Sequence, residues 1–200
     1  MGASMAEAAL VGGAYLVGTF PTAALVARGQ GRDPTREGSG NPGATNVYRI
    51  AGPRAGAMVL VGDLVKGMVP TAVALTVFDR RLAVVTALAA VIGHCWPATR
   101  GFKGGKGVAT AGGAVLVLEP LVGLVGAILW LLVAKVARKA SLASIATALM
   151  VPSVMVALGR PAWELGGVAI LVLIVVARHA DNISRLRSGD ERSLQEEGGR

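Results

Sequence analysis

Charge is scarce in this chain. Only 16% of its 200 residues are Asp, Glu, Lys or Arg, where a soluble domain carries about 25%. With 53% hydrophobic residues and a mean hydropathy of +0.59, that scarcity excludes an ordinary soluble protein. Aromatics are nearly missing too, at 4%, so the apolar mass is Ala, Val, Leu and Gly. Small residues at this density let helix backbones approach closely in lipid, where no hydrophobic force drives helix against helix. A single cysteine, Cys95, excludes an intrachain disulfide and leaves the redox compartment open.

What is present is a succession of apolar runs at about 5–27, 54–78, 81–97, 105–118, 120–138, 141–159 and 162–178. Seven spans is the simplest reading of an all-α integral membrane protein, organised as a single polytopic domain over 1–200 with a polar tail over 179–200. The fourth run is shorter than the roughly 20 residues a full crossing needs. Merged with the fifth across Glu119-Pro120, it leaves six spans. The first run reads as a retained helix and not a cleaved signal, because no basic stretch precedes it.

Net charge is +8, which raises nucleic acid as a partner. The cations, however, sit in short loops between apolar runs and line no soluble face. Alternating the loops places sixteen Lys and Arg on one side, against Arg80, Arg81 and Arg160 on the other. That bias puts the N-terminus outside and the C-terminus in the cytoplasm. The expected location is a cell membrane, crossed many times.

Two polar segments stand out on the cation-rich side: Gly38-Ser-Gly-Asn-Pro-Gly-Ala-Thr-Asn-Val-Tyr-Arg49 and Gly101-Phe-Lys-Gly-Gly-Lys-Gly-Val-Ala-Thr110. The first matches G-x-G-x-x-G, with Asp63 twenty residues past Gly43. A dinucleotide fingerprint, however, needs a strand before it and a βαβ unit around it, and an apolar helix stands there instead. Gly105-Lys106-Gly107 lacks the Ser or Thr that a Walker lysine requires next. The remaining reading is a phosphate cradle. Glycines permit close backbone approach, Ser39, Thr45 and Asn46 offer hydrogen bonds, and Arg49, Lys103 and Lys106 supply charge. The competing reading is an ordinary glycine-rich turn with positive-inside cations.

Asp63 and Lys66 are i and i+3 within an apolar run, which makes them helical neighbours. Ionisable residues there are paired or functional, and self-neutralisation is the favoured role. His94 and His179 have no ligand at metal spacing, so no metal site is expected. At helix ends, each is either a general base or a cap. Cys95 adjoins His94, but i and i+1 side chains diverge on a helix, which argues against a thiol nucleophile. His179 and Asn182 share a face of a short helix expected around 182–187.

With these residues in view, the chain resembles the bacterial membrane glycerol-3-phosphate acyltransferases that use acyl phosphate, the PlsY family. Three motifs carry the resemblance. One runs from Gly38-Ser39-Gly40-Asn41 through Gly43-Ala44-Thr45-Asn46 to Arg49. Another comprises Gly93-His94, Pro97 and Phe102-Lys103-Gly104-Gly105-Lys106-Gly107-Val108-Ala109-Thr110. The last comprises Arg178-His179, Asn182, Arg185-Leu186, Gly189 and Glu191. Their order and spacing cover essentially the whole chain.

The resemblance implies transfer of a fatty acyl group from acyl phosphate to the sn-1 hydroxyl of glycerol 3-phosphate. The products would be lysophosphatidate and inorganic phosphate, in the first committed acylation of phospholipid biosynthesis. It also implies catalytic roles for Ser39, Arg49, His179 and Asn182. Substrate binding would fall to Gly40, Asn41, Gly43, Thr45, Asn46, Lys103, Gly104, Gly105 and Lys106, and Glu191 would serve structural integrity. No cofactor is implied. The implied partners are the two substrates, membrane lipid and a functional link to the enzyme supplying acyl phosphate. Two positions depart from the family pattern: Thr35 stands where an Arg is expected, with Arg36 following, and Arg100 where an apolar residue is commoner.

Two rival functions remain. Acyl-CoA-dependent acyltransferases carry H-x-x-x-x-D, but Thr99 and Ser184 occupy the Asp positions here. A phosphate-ester transporter should line its path with ionisable residues, and only Asp63 and Lys66 lie within a run.

Overall fold

The computed structural model describes residues 4–194. Its elements are helices: α1 (Met5–Thr19), α2 (Thr22–Arg28), α3 (Ala44–Val77), α4 (Arg80–Cys95), α5 (Val108–Leu118), α6 (Pro120–Ala137), α7 (Ala140–Ala157), α8 (Ala162–Arg178) and α9 (Ala180–Ser188), with a 3₁₀ turn at Ala98–Arg100. Local chemistry sets several boundaries. Ser4 and Glu7 form a reciprocal capping box at α1. The Asp79 carboxylate accepts from Leu82 N at 2.8 Å to start α4. Pro120, which has no N–H to lose, opens α6.

Five helical segments among the described residues are long and apolar enough to cross a membrane, taking α1 and α2 together, and α8 with α9 would make a sixth, bent by 56°. The fourth apolar run becomes α5, only 11 residues and about 16 Å long, against a hydrocarbon thickness of about 30 Å. Side chains such as Leu131, Val136 and Leu173 stay exposed, as lipid-facing groups do.

The largest departure from the sequence expectation is α3. It starts at Ala44, ten residues before the apolar run, so half of the first motif is helical. At Gly52 the backbone turns to φ 85°, ψ 176°, and Pro53, which has no N–H to donate, follows it. The break separates a short polar helical segment from the long apolar one.

Glycines bring pairs of helices into backbone contact. Gly18 of α1 lies on the Ala90 carbonyl of α4, and Gly93 of α4 lies on the Tyr15 carbonyl of α1. Gly67 of α3 and Gly113 of α5 face the Thr110 and Leu64 carbonyls in the same reciprocal way. A Cβ at any of the four would strike a carbonyl oxygen, so α3 and α5 meet at a fixed height. Apolar clusters then join α3, α4 and α5 on one side and α5, α6, α7 and α8 on the other.

At the end of the bundle away from the motifs, Arg80 Nε and Nη2 donate to Glu164 Oε1 at 3.0 and 2.5 Å. The same guanidinium reaches Glu119 and the Leu118 carbonyl at 2.9 Å, and Arg160 holds the other Glu119 oxygen at 2.6 Å. Glu164 and Glu119 are buried. This knot ties α4, the α5–α6 turn and α8 together. Arg80→Ala strands the Glu164 carboxylate and is expected to cost about 3–5 kcal/mol of stability. A drop in the thermal midpoint of the detergent-solubilised protein, with little loss for Arg81→Ala, is the result that checks it.

Candidate active site

The first motif is wound around one amide. Asn46, buried in the first turn of α3, accepts from Ser39 N at 2.8 Å and donates to the Pro34 and Glu37 carbonyls at 2.9 and 3.1 Å. A neutral amide is suited to this because it carries donors and an acceptor together. Gly38, at φ +60°, packs where a Cβ would collide with the Asn46 oxygen. The loop therefore presents Ser39 while its backbone is secured from beneath. No side chain caps α3 at Gly43; Asn46 N and Val47 N fold onto the Gly43 carbonyl, which leaves the N–H groups of Ala44 and Thr45 to meet an anion. Of the two departures, Thr35 is held by the Asp33 carboxylate through its N–H and hydroxyl at 3.0 and 2.7 Å. Arg100 reaches back to the Thr19 carbonyl at 3.3 Å.

In the second motif the two adjacent glycines do not offer their N–H groups to a ligand. Gly104 N donates to the Cys95 carbonyl at 3.2 Å and Gly105 N to the His94 carbonyl at 3.1 Å, occupying carbonyls that α4 leaves open at its C-terminal end. Arg178 takes their carbonyls, with Nε on Gly105 O at 3.0 Å and Nη2 on Gly104 O at 2.9 Å. Its guanidinium also lies 5.6 Å from the Trp96 ring centre. Glycine is needed at 105 because a Cβ would run into the His94 ring. The polar groups on offer come one step later. Lys106 points into the site, and α5 begins after Gly107 (φ +79°) with no side-chain cap.

The third motif meets the second at Lys106, whose ammonium donates to Asn182 Oδ1. Asn182 Nδ2 donates to Glu191 Oε1 at 2.6 Å, and Arg185 Nε donates to Glu191 Oε2 at 3.0 Å. Burial opposes ionisation of Glu191. The nearby Ser141 hydroxyl and the hydrogen bonds from Asn182 and Arg185 outweigh it and hold the carboxyl below the usual glutamate range. Glu191 thus fixes which way the Asn182 amide faces, in keeping with the structural role the resemblance implies. His179 is 2% exposed, and its Nδ1 lies 2.7 Å from the Val175 carbonyl. A carbonyl only accepts, so Nδ1 carries the hydrogen and the neutral ring keeps its lone pair on Nε2. Arg49 donates from Nε to the Ser193 carbonyl at 3.0 Å and from Nη2 to the Arg192 carbonyl at 3.4 Å.

A cavity of about 850 Å³ joins these parts. Ser39, Asn41, Gly43, Thr45, Asn46 and Arg49 line it from the first motif, Lys106 from the second, and His179 and Asn182 from the third. Gly40, Lys103, Gly104 and Gly105 do not line it: the glycine pair is turned against α4, and Lys103 is exposed. Ser141, at the start of α7, lines it unforeseen, since one of several small hydroxyl residues in an apolar run carries no signal. Beyond the polar mouth, the wall is apolar and built from α5, α6, α7 and α8, including Leu116, Ala127, Val151 and Val172.

Burial, opposed by the Glu191 charge, lowers the Lys106 ammonium to about 8. A lysine with a lowered value is cationic below it and neutral above. If anion capture needs that charge, kcat/KM for a phosphorylated substrate should fall as pH rises through about 8, because kcat/KM reports the free enzyme. Lys106→Arg should remove this limb from the pH–rate profile.

Residues 8–189 match the profile of the family described as glycerol-3-phosphate acyltransferase. A protein of that name from Thioalkalivibrio sulfidiphilus is 44% identical over 185 residues, 92% of this chain and 91% of the relative. One from Hydrogenovibrio crunogenus is 41% identical, covering 100% and 97%. Among solved structures, PlsY, an integral membrane glycerol 3-phosphate acyltransferase, superposes in its glycerol 3-phosphate form with a TM-score of 0.90 at 37% identity, over 94% of this chain and 95% of that one. Its lysophosphatidic acid form gives 0.89 at the same identity and coverage. With five helical segments of membrane-spanning length and apolarity among the described residues, this is an integral membrane acyltransferase, and the chain belongs to the glycerol-3-phosphate acyltransferase family.

Proposed function

We propose that the cavity holds acyl phosphate and glycerol 3-phosphate together and transfers the acyl group to the sn-1 hydroxyl, giving lysophosphatidate and inorganic phosphate. One observation carries this reading. A single cavity combines two uncapped helix N-termini, Arg49 and Lys106 at its polar mouth with an apolar bore between helices. The mouth suits two phosphates and the bore suits a fatty chain. The relative's glycerol 3-phosphate and lysophosphatidic acid forms support an acceptor and a product of that kind.

In the step itself, the hydroxyl oxygen attacks the acyl carbonyl carbon. A carbon–oxygen bond forms to the glycerol, and the carbonyl carbon's bond to the phosphate oxygen breaks. The leaving phosphate takes the bonding pair, so no acyl-enzyme is needed. Lys106 and Arg49 offset the repulsion between the two phosphates and the charge growing on the departing one. Holding hydroxyl and carbonyl at reacting distance supplies much of the remainder. Nε2 of His179, with its free lone pair, accepts the hydroxyl proton. Ser39 and Asn41 orient phosphate oxygens, while Asn46 acts by fixing the loop that carries them. The three motifs face the cytoplasm, where an enzyme making acyl phosphate would supply the donor, and the N-terminus lies outside.

Purified protein given acyl phosphate and glycerol 3-phosphate should release phosphate and lysophosphatidate in equal amounts. Acylation from acyl-CoA and not from acyl phosphate would overturn the assigned donor. Flux of glycerol 3-phosphate into proteoliposomes without acylation would instead support a transporter.

A further inference from the structure

The charged pair inside α3 lies closer to the site than its place in an apolar run implies. Lys66 Nζ meets Asp63 Oδ1 at 2.6 Å, with both side chains almost fully buried. From α4, His94 brings Nδ1 to 3.8 Å from the same oxygen, and that nitrogen has no hydrogen-bond partner within the structure. Asp63 and His94 both line the cavity beside Lys106. The His94 ring lies directly under Gly105, and its carbonyl accepts the Gly105 N–H.

From these contacts we infer that Asp63 is a positioning residue for phosphate capture, which acts through His94 to set the height of Lys106. The inference rests on the acyl-transfer reading above and deepens it. The chain of contacts is short: Asp63 orients His94, the His94 ring and carbonyl support Gly105, and Lys106 is the next residue. Arg178 presses the same two peptides from the other side, so the lysine backbone is clamped between α4 and α8. Lys66 supplies the opposite charge that a buried carboxylate needs beside it.

A pair serving only to neutralise itself would leave one feature unexplained. It would not need a histidine nitrogen without another partner aimed at its carboxylate. The 3.8 Å gap is longer than a hydrogen bond, so the contact orients the ring electrostatically.

The steady-state constants of the full-length protein, at saturating acyl phosphate and varied glycerol 3-phosphate, test this. Asp63→Asn alone would strand the Lys66 charge, so the decisive variant is Asp63→Asn with Lys66→Met, which leaves no unpaired buried ion. A second variant, His94→Gln, keeps the charge pair and removes the ring. Both should raise KM for glycerol 3-phosphate about tenfold while kcat stays within about threefold, the signature of lost binding in place of lost chemistry. Asp63→Glu with Lys66 retained should restore most of the affinity. A lower kcat at unchanged KM in either variant would signify less folded enzyme and overturn the positioning role, as would unchanged constants. Failure of the unaltered protein to turn over the two substrates would overturn the parent reading, and the positioning role with it.

Discussion

Replacing His179 with alanine is expected to lower turnover by about 10²–10⁴-fold, the usual contribution of a positioned acid–base group. The geometry behind this is specific. Nδ1 is held by the Val175 carbonyl, which leaves Nε2 as the ring's one acceptor, and the side chain lines the cavity. Single-turnover phosphate release on purified protein reads the effect at the chemical step. His179→Gln, which can keep a bond to Val175, should be nearly as slow, separating loss of the base from loss of packing. A fall of less than tenfold in both would move the proton acceptor to a phosphate oxygen of the substrate.

Lys106→Met should have an effect of comparable size, about 10²–10³-fold in kcat/KM for glycerol 3-phosphate, as when a preorganised donor to developing negative charge is removed. Two losses combine. The cation disappears from between the two phosphates, and Asn182 loses the partner for its Oδ1 while Nδ2 stays on Glu191. Lys106→Arg should recover part of the activity because charge returns, though a planar fork does not reproduce a compact ammonium. Kinetics with each substrate varied in turn checks which phosphate is affected more. Equal activity of Lys106→Met and the unaltered protein would remove the lysine from the site.

Much of this was legible from residue types, and the failures have physical causes. Apolar runs marked the membrane helices because lipid demands roughly 20 apolar residues for a crossing. The pairing of Asp63 with Lys66 followed from their spacing, since i and i+3 side chains meet on a helix. The helical start at Ala44 was hidden. Asn46 and Arg49 look like loop residues until one sees that the Asn46 amide is bonded to the loop of Pro34, Glu37 and Ser39, while Arg49 reaches the chain near Ser193 with part of its guanidinium.

Gly104 and Gly105 are a different case. A glycine pair between lysines reads as a phosphate nest, yet its donors close the C-terminal end of α4. Nothing in composition distinguishes a glycine that approaches a ligand from one that approaches another backbone. Arg178 was similarly opaque: it belongs to the third motif and acts on the second, through contacts 73 and 74 residues apart in sequence. Ser141 could not be singled out from its run, which also holds Ser144, Thr147 and Ser153.

The bond from Arg49 to the carbonyls of Arg192 and Ser193, with Leu194 N on the Arg138 carbonyl, bears on how this enzyme should be handled at the bench. Affinity handles and reporter fusions are commonly appended at the carboxyl end. Here cargo joined after Leu194 would pull on a strap moored to a site arginine, whereas the capping box of Ser4 and Glu7 at the start of α1 makes no hydrogen bond to any of the three motifs. A tag fused on the carboxyl side should therefore depress specific activity more than one fused ahead of α1.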